Sequence, residues 1–255
     1  MKALLYFMKK EWTEQLRSAK LWIGVGVFLL IAVMNPVIAK LTPIILDAFS
    51  EMLADSGMTI TQVEVTALDS WAQFYKNIPM CLIAFVLFQS SIFTKEYGST
   101  LVLSLTKGLE RYKVVIAISV TLLALWTGFY WLNFGVTYAI NEIFWDNSIA
   151  QNLAFSAFNY WLFGVFTIAL ITLFSTVLNS GIGVLLVTGG VIFGLSLFGF
   201  IPKFGEWLPN FLSDGTSLVY GLKEVQDYTV AVVVTLLLTV IAFVLSVPFF
   251  NKKQV

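Results

Sequence analysis

The sequence predicts an all-α integral membrane protein with six transmembrane helices, an N-terminal amphipathic elbow helix, a short cytoplasmic coupling helix and interfacial extracellular helices. Of 255 residues, 58% are hydrophobic and only 12% are charged, and the mean hydropathy is +0.87. A soluble domain of this length cannot bury so large an apolar share. No strand-type alternation competes in these segments, and helices satisfy their own backbone hydrogen bonds in lipid, so the spans are expected to be helical.

Six apolar segments set the predicted architecture. They cover residues 21–39, 74–93, 114–140, 156–178, 182–201 and 228–250. Each is long enough for the ~30 Å hydrocarbon core of a bilayer, which ~20 helical residues cross. Residues 1–255 are therefore interpreted as one transmembrane domain without a separate soluble unit.

Charge is divided unequally between the two sides that these spans define. If the N-terminus is inside, the inner segments carry 11 Lys and Arg against 4 Asp and Glu, and the outer segments carry 4 against 11. The inner segments are 1–20, 94–113, 179–181 and 251–255. Because the Lys and Arg bias orients membrane proteins, both termini are expected on the cytoplasmic side of the cell (plasma) membrane.

The first element, residues 1–20, is predicted to be an amphipathic elbow helix. Its apolar side chains recur at three- and four-residue steps on one face: Leu5, Met8, Trp12, Leu16 and Ala19. Such a helix lies in the membrane interface, with Trp12 and the basic side chains at headgroup depth. It is either a simple topogenic anchor or a helix that also contacts a partner through Glu11, Trp12 and Arg17.

The loop at 94–113, after the second span, is patterned and basic. Either Ser99 or Thr100 can cap a short helix. Leu101, Val102 and Leu105 then share one side, and Gly108 can end the helix. On composition alone it is an ordinary cytoplasmic loop. Alternatively, it is a docking helix that presents an apolar stripe to a soluble partner.

Two outer segments are expected to have structure of their own. Residues 40–73 are acidic and show helical spacing, which fits either a helical hairpin or a solvated loop. Residues 202–227 hold too many apolar side chains for a plain exposed loop. Two short re-entrant or interfacial helices are predicted there.

Small and polar residues inside the spans suggest contacts and a pathway. Gly190 and Gly194 in the fifth span permit close helix approach, either within one subunit or against a second one. Asn35, Gln89 and Asn133 are candidates for lining a pathway. Satisfied hydrogen bonds between helices are an equal alternative for these three.

Missing residue types exclude several functions. The chain has no histidine, which removes His-based nucleophile pairs and the HExxH zinc motif. No GxxxxGK[ST] phosphate loop occurs. No acidic or basic residue falls at the middle of a predicted span, which disfavours a carrier driven by protons or sodium. We therefore expect neither a catalytic site nor a metal or cofactor in this chain.

The loop contains a motif that resembles a known transporter family. Its residues are Glu96, Gly98, Thr100, Leu101, Leu105, Thr106, Lys107, Arg111 and Lys113. In order and character they resemble the pattern after the second span of ABC type-2 permeases, the membrane subunits of exporters with the type V fold. The chain departs from that pattern at Ser99, where glycine is common, and at Gly108-Leu109, where a proline is usual.

The resemblance implies a set of roles and partners. The loop would be a coupling helix that sits on a cassette-type ATPase subunit, which alone would bind ATP and Mg²⁺. A second permease subunit, identical or homologous, would complete a dimer. The expected function is ATP-driven export of a lipophilic or amphipathic substrate, such as a peptide, an antibiotic or a lipid-like molecule. The alternatives are a small secondary carrier or channel, and a membrane accessory or sensor protein without transport activity.

Overall fold

A computed structural model describes residues 2–54, 64–90, 110–201 and 203–252, and the regular structure in those ranges is entirely helical. The α-helices are α1 (Lys2–Arg17), α2 (Ala19–Ala54), α3 (Ala67–Gln89), α4 (Arg111–Phe144), α5 (Leu153–Val177), α6 (Gly181–Phe198), α7 (Gly215–Val219) and α8 (Thr229–Lys252). Six segments of this described part are long and apolar enough to cross a membrane. They are Ala19–Ile45, Ala67–Gln89, Arg111–Phe144, Leu153–Val177, Gly181–Phe198 and Val225–Lys252.

The helices reach beyond the apolar segments from which they were predicted. α2 continues to Ala54 and α3 already begins at Ala67. Much of the segment 40–73, for which either a helical hairpin or a solvated loop was expected, therefore extends the two spans. A capping box fixes the start of α3, because Asp69 Oδ2 accepts from the Thr66 backbone N–H at 2.8 Å while Thr66 caps the first turn. Polar residues therefore enter the helix at a position that hydropathy alone assigns to a loop.

Aromatic side chains form the core between α3, α4 and α5. The ring centroids of Phe85 and Trp126 lie 5.6 Å apart, and those of Trp126 and Tyr130 lie 5.4 Å apart. Their polar atoms are satisfied locally: Trp126 Nε1 donates to the Trp161 carbonyl at 3.1 Å, and Tyr130 Oη donates to the Ala157 carbonyl at 2.8 Å. These bonds fix the rings in place within an otherwise apolar interior.

α8 packs along α5 in the most extensive helix pair of the described chain. The buried face of α8 is built mainly from small side chains: Ala231, Thr235, Thr239, Ala242 and Ser246. Small residues let two helix backbones approach closely in a membrane, where no hydrophobic effect drives helices together. α6 stands at the outside of the bundle, since only Val184 and Thr188 of its residues are buried.

Residues 203–228 fold as a chain of short turns onto α3, α5 and α8, at the end of the bundle where α3, α5 and α8 begin. Three 3₁₀ turns (Gly205–Trp207, Pro209–Ser213 and Val225–Tyr228) flank the five-residue α7, where two interfacial helices were expected. Leu212, Leu218 and Tyr228 are fully buried, and Tyr228 Oη donates to the Asp214 carbonyl at 2.8 Å. The segment therefore belongs to the packed interior at this end of the bundle.

Candidate functional site

The patterned loop between α3 and α4 is described only at its second end. Seven of its motif residues lie at 91–109, outside the described residues: Glu96, Gly98, Thr100, Leu101, Leu105, Thr106 and Lys107. Arg111 and Lys113 begin α4. The site is therefore built from the elements that hold the two ends of this loop.

These elements meet at one end of the bundle, called here the α1 end. It consists of α1, the last turn of α3, the first turn of α4 and the last turn of α8. α1 packs mainly against α4. Lys20, at the start of α2, donates from Nζ to the Phe88 carbonyl at 3.1 Å, which satisfies one of the free carbonyls at the end of α3.

Arg111 ties the start of α4 to the end of α8. Its Nη1 donates to the carbonyls of Phe250 at 3.2 Å and Asn251 at 3.3 Å. The last carbonyls of a helix have no partner within the helix and carry partial negative charge, so a guanidinium is well suited to them. Arg111 thus joins two spans at the point where the patterned loop ends.

Lys113 pairs with the residue just before α4. Its Nζ lies 2.6 Å from Glu110 Oε2. The hydrogen bond from Lys113, with a smaller contribution from Tyr112, lowers the pKa of the exposed Glu110 carboxyl. The charge of Lys113 is therefore balanced within its own turn of the chain.

The three elbow residues point in different directions. Glu11 is buried, 2% exposed, and its Oε1 lies 3.0 Å from Lys10 Nζ. Trp12 is 40% exposed and Arg17 is also exposed. Glu11 therefore belongs to the contact between α1 and the bundle, whereas Trp12 and Arg17 belong to the outer surface.

Two of the pathway candidates are enclosed in hydrogen bonds between helices. Asn35 accepts from Asn77 Nδ2 at 3.0 Å and donates to Thr137 Oγ1 at 3.3 Å, which joins α2, α3 and α4. Asn133 donates to the Phe28 carbonyl at 2.6 Å. Asn35 and Asn133 are fully buried, so neither lines an open passage in this conformation.

The third pathway candidate lies at the α1 end and not in the middle of a span. Gln89 is the last residue of α3 and is 3% exposed. Its Oε1 lies 3.5 Å from Gln15 Nε2 on α1. Gln89 is thus part of the contact between α1 and α3.

An apolar groove between α3, α5 and α6 was not anticipated from the sequence. Its volume is about 440 Å³, and its walls include Leu82, Val86, Phe163, Gly189 and Phe193. Thr188 also lines it, is 1% exposed, and its Oγ1 has no hydrogen-bond partner in the described chain. Periodicity could place these residues on helix faces but could not show which three helices leave a space between them.

Gly190 and Gly194 lie on an open face of α6. A Cβ built at either position would meet no atom within 4 Å outside the local helix backbone. Neither glycine therefore packs against another helix of the described chain. The small-residue pattern therefore provides a smooth face that the described part of the chain leaves uncovered.

Comparison with known proteins does not identify a relative. No protein-family model matches the chain, and no curated protein or solved structure matches it. Among the described residues, no group of three His, Cys, Asp or Glu side chains could hold a metal ion. Function is therefore inferred from the residues and their geometry.

Proposed function

We propose that this protein is the permease subunit of an ATP-driven exporter, as the resemblance of its loop to ABC type-2 permeases implies. A separate cassette-type ATPase would hydrolyse ATP with Mg²⁺ and press on the loop from the cytoplasm. The observation that supports this most directly is the construction of the α1 end. Both ends of the patterned loop are fastened there to other helices.

The fastenings give a route by which movement of the loop reaches the spans. On the α3 side, Lys20 donates a hydrogen bond to the Phe88 carbonyl, so a movement of α3 would carry α2 with it. On the α4 side, Arg111 bonds the last carbonyls of α8, so α8 follows α4. A displacement of the loop would then move four spans together instead of bending one chain segment.

Charge burial supports an external source of energy. Glu11 is the only Asp, Glu, Lys or Arg that is buried in the described chain, and it lies on α1 and not within a span. Carriers driven by ion gradients usually hold an ionisable group or a broken helix near the bilayer midplane. The described spans hold no buried Asp, Glu, Lys or Arg, and a protein that moves cargo without such a group needs a partner to supply the energy.

The groove supports a lipophilic or amphipathic cargo. Its volume of about 440 Å³ falls in the range of roughly 300–1,000 Å³ that is usual for small-molecule sites. Its walls come from three helices long and apolar enough to span a membrane, so the groove would lie at the depth of the acyl chains. In the proposed dimer, the open face of α6 at Gly190 and Gly194 would meet a second permease.

The proposal is tested by a charge placed on the predicted coupling helix. The tagged chain is purified from its native membrane with its associated ATPase and reconstituted in proteoliposomes. Leu105→Asp is expected to remove substrate-stimulated ATP hydrolysis, because an aspartate on the apolar stripe would enter the ATPase groove unpaired. Ser104→Asp adds the same charge at the neighbouring position, about 100° around the helix, and is expected to keep the stimulation.

Equal stimulation in the Leu105 variant and the wild type would contradict the coupling role. Transport without any associated ATPase would indicate a secondary carrier or a channel. Absence of both transport and ATPase activity would favour the accessory or sensor alternative.

A further inference from the structure

α1 presents three distinct faces, which follow from its 3.6-residue turn. The first is buried against the bundle and includes Phe7 and Glu11, which are 6% and 2% exposed. The second is apolar and outward: Leu5, Trp12 and Leu16 are 60%, 40% and 45% exposed. The third adjoins the apolar face and carries the cations.

The cationic face forms a shallow groove along the helix. It has a volume of about 680 Å³ and is lined by Tyr6, Lys9, Lys10, Thr13, Glu14, Arg17 and Ser18. Lys10 Nζ lies 3.0 Å from Glu11 Oε1 and 3.7 Å from Glu14 Oε2, so its charge is locally balanced. For Lys9 and Arg17, the described chain provides no carboxylate partner within salt-bridge distance.

The apolar face of α1 determines how deep the cationic face lies in the membrane. An apolar surface is formed by Leu5, Trp12 and Leu16 together with Trp22 at the start of α2. Trp22 is 66% exposed. Such a surface is stable in hydrocarbon and not in water. A helix that lies with this face in the acyl region holds the adjoining cations at the level of the lipid phosphates. A soluble acidic protein on the same groove would leave the apolar face uncovered.

We propose that α1 binds an anionic phospholipid, with the phosphate and its net negative charge held between Lys9 and Arg17 and an acyl chain lying over Leu5, Trp12 and Leu16. The Thr13 side chain lies between the two cations on the helix, and its hydroxyl donates to the Lys9 carbonyl at 2.7 Å, so the phosphate would be held by the two cations and not by Thr13. This inference does not depend on export activity, because it concerns only α1 and the lipid beside it.

The test compares an anionic lipid with a zwitterionic lipid that has no net charge. The purified full-length chain is titrated in detergent with phosphatidylglycerol or phosphatidylcholine, and bound lipid is counted by native mass spectrometry. A cation near an anionic lipid surface contributes about 1 kcal/mol, which is about fivefold in affinity. The double variant Lys9→Gln with Arg17→Gln is expected to bind phosphatidylglycerol about 25-fold more weakly and phosphatidylcholine as before.

Two controls separate a lipid site from a general charge effect. Lys252→Gln removes the same charge from the end of α8 and is expected to leave lipid binding unchanged. The exchange variant Lys9→Arg with Arg17→Lys keeps both charges and is expected to keep the preference for phosphatidylglycerol. It also keeps the proposal testable if the neutral double variant fails to fold, because loss of the preference in this variant would contradict a charge-based site.

Three outcomes would overturn the proposal. The first is equal affinity of the wild-type chain for the two lipids. The second is a phosphatidylglycerol affinity that the double neutral variant leaves unchanged. The third is loss of a bound acidic protein from that variant with unchanged lipid binding, which would assign the cationic face to a protein contact.

Discussion

At the scale of single residues, close packing and local hydrogen bonds determine which positions tolerate change. Gly164 on α5 lies directly beneath the indole of Trp126, and a Cβ at that position would overlap the ring. Gly128 on α4 has open space around it, since a Cβ there would meet no atom within 4 Å. The two glycines look alike in the sequence, because both lie inside apolar spans.

Gly164→Ala is therefore expected to destabilise the fold. The added methyl group must displace the Trp126 ring, and such overpacking costs about 1–3 kcal/mol. Cys81 is the single cysteine of the chain and is fully buried, so a thiol-reactive dye reports the unfolding temperature in detergent. Gly128→Ala is the matched control. It adds the same methyl group inside a helix without overlap and is expected not to lower that temperature. An unaltered temperature for Gly164→Ala would show that the ring has room to move.

The sequence indicates which residues form polar contacts inside the bundle, but it does not indicate which helix each of them contacts. The polar positions Asn133 and Thr137 lie four residues apart on one face of α4, and this spacing already indicates a polar stripe. The structure adds that the stripe meets Asn35 and the backbone of α2. Which helix would face the stripe could not be predicted, because periodicity defines a face and not its neighbour.

At the scale of elements, the decisive contacts are those that satisfy helix ends. Arg111 donates hydrogen bonds to the C-terminal end of α8, which is about 140 residues away in the sequence. In the sequence it resembles any inner-loop cation and was assigned to the loop motif. Only the structure brings it to the carbonyls of Phe250 and Asn251.

Arg111→Gln is expected to loosen the end of α8. Hydrogen bonds from a charged donor contribute about 1.5–3 kcal/mol. Their loss would allow the last turn of α8 to open, and its backbone amides would then exchange with solvent. Hydrogen exchange of the α8 amides near Phe250 should become faster, whereas the middle of α8 should stay protected. Lys113→Gln removes a cation whose ion pair in the described chain, with Glu110, lies within its own turn, and this variant is expected to leave α8 unchanged. Equal effects of the two variants would indicate a general electrostatic cause.

Hydropathy predicts the spans of this chain but not all of their helix boundaries. The number of spans and their order follow from apolar length alone, and the described helices include six of that kind. The start of α3 follows from the capping box at Thr66 and Asp69, which is legible in the sequence but lies outside the apolar segment. The turns at 203–228 could not be predicted in detail, because tertiary packing of Leu212 and Tyr228 determines them.

At the scale of the whole molecule, the bundle is asymmetric. α5 is enclosed by its neighbours, whereas α6 is attached to one side and exposes most of its surface. The groove beside α6 and its open glycine face are consequences of this placement. The groove was not predictable, because the order of spans along the chain does not fix their arrangement around α5. For Gly190 and Gly194, the sequence left open whether they pack within one subunit or against a second one.

The proposed dimer leads to a prediction at this scale. Gly190→Leu combined with Gly194→Leu is expected to lower the fraction of paired molecules several-fold, since bulky side chains prevent close approach of two helices. Subunits are counted in bilayers by single-molecule photobleaching. Gly135→Leu on α4 adds a side chain at another position with open space and is expected to have no effect. Pairing that persists in the double glycine variant would exclude this face of α6 as the interface.

The length of α6 has a consequence for the surrounding lipid. With 18 residues it is about 27 Å long, whereas the apolar stretch of α2 has 27 residues and is about 40 Å long. The protein therefore presents uneven hydrophobic length, and a bilayer that thins beside α6 to match it does so at a cost of a fraction of a kcal/mol for each Å of mismatch. Two molecules that meet along α6 would share one thinned patch in place of two, so bilayer elasticity itself would draw copies together there.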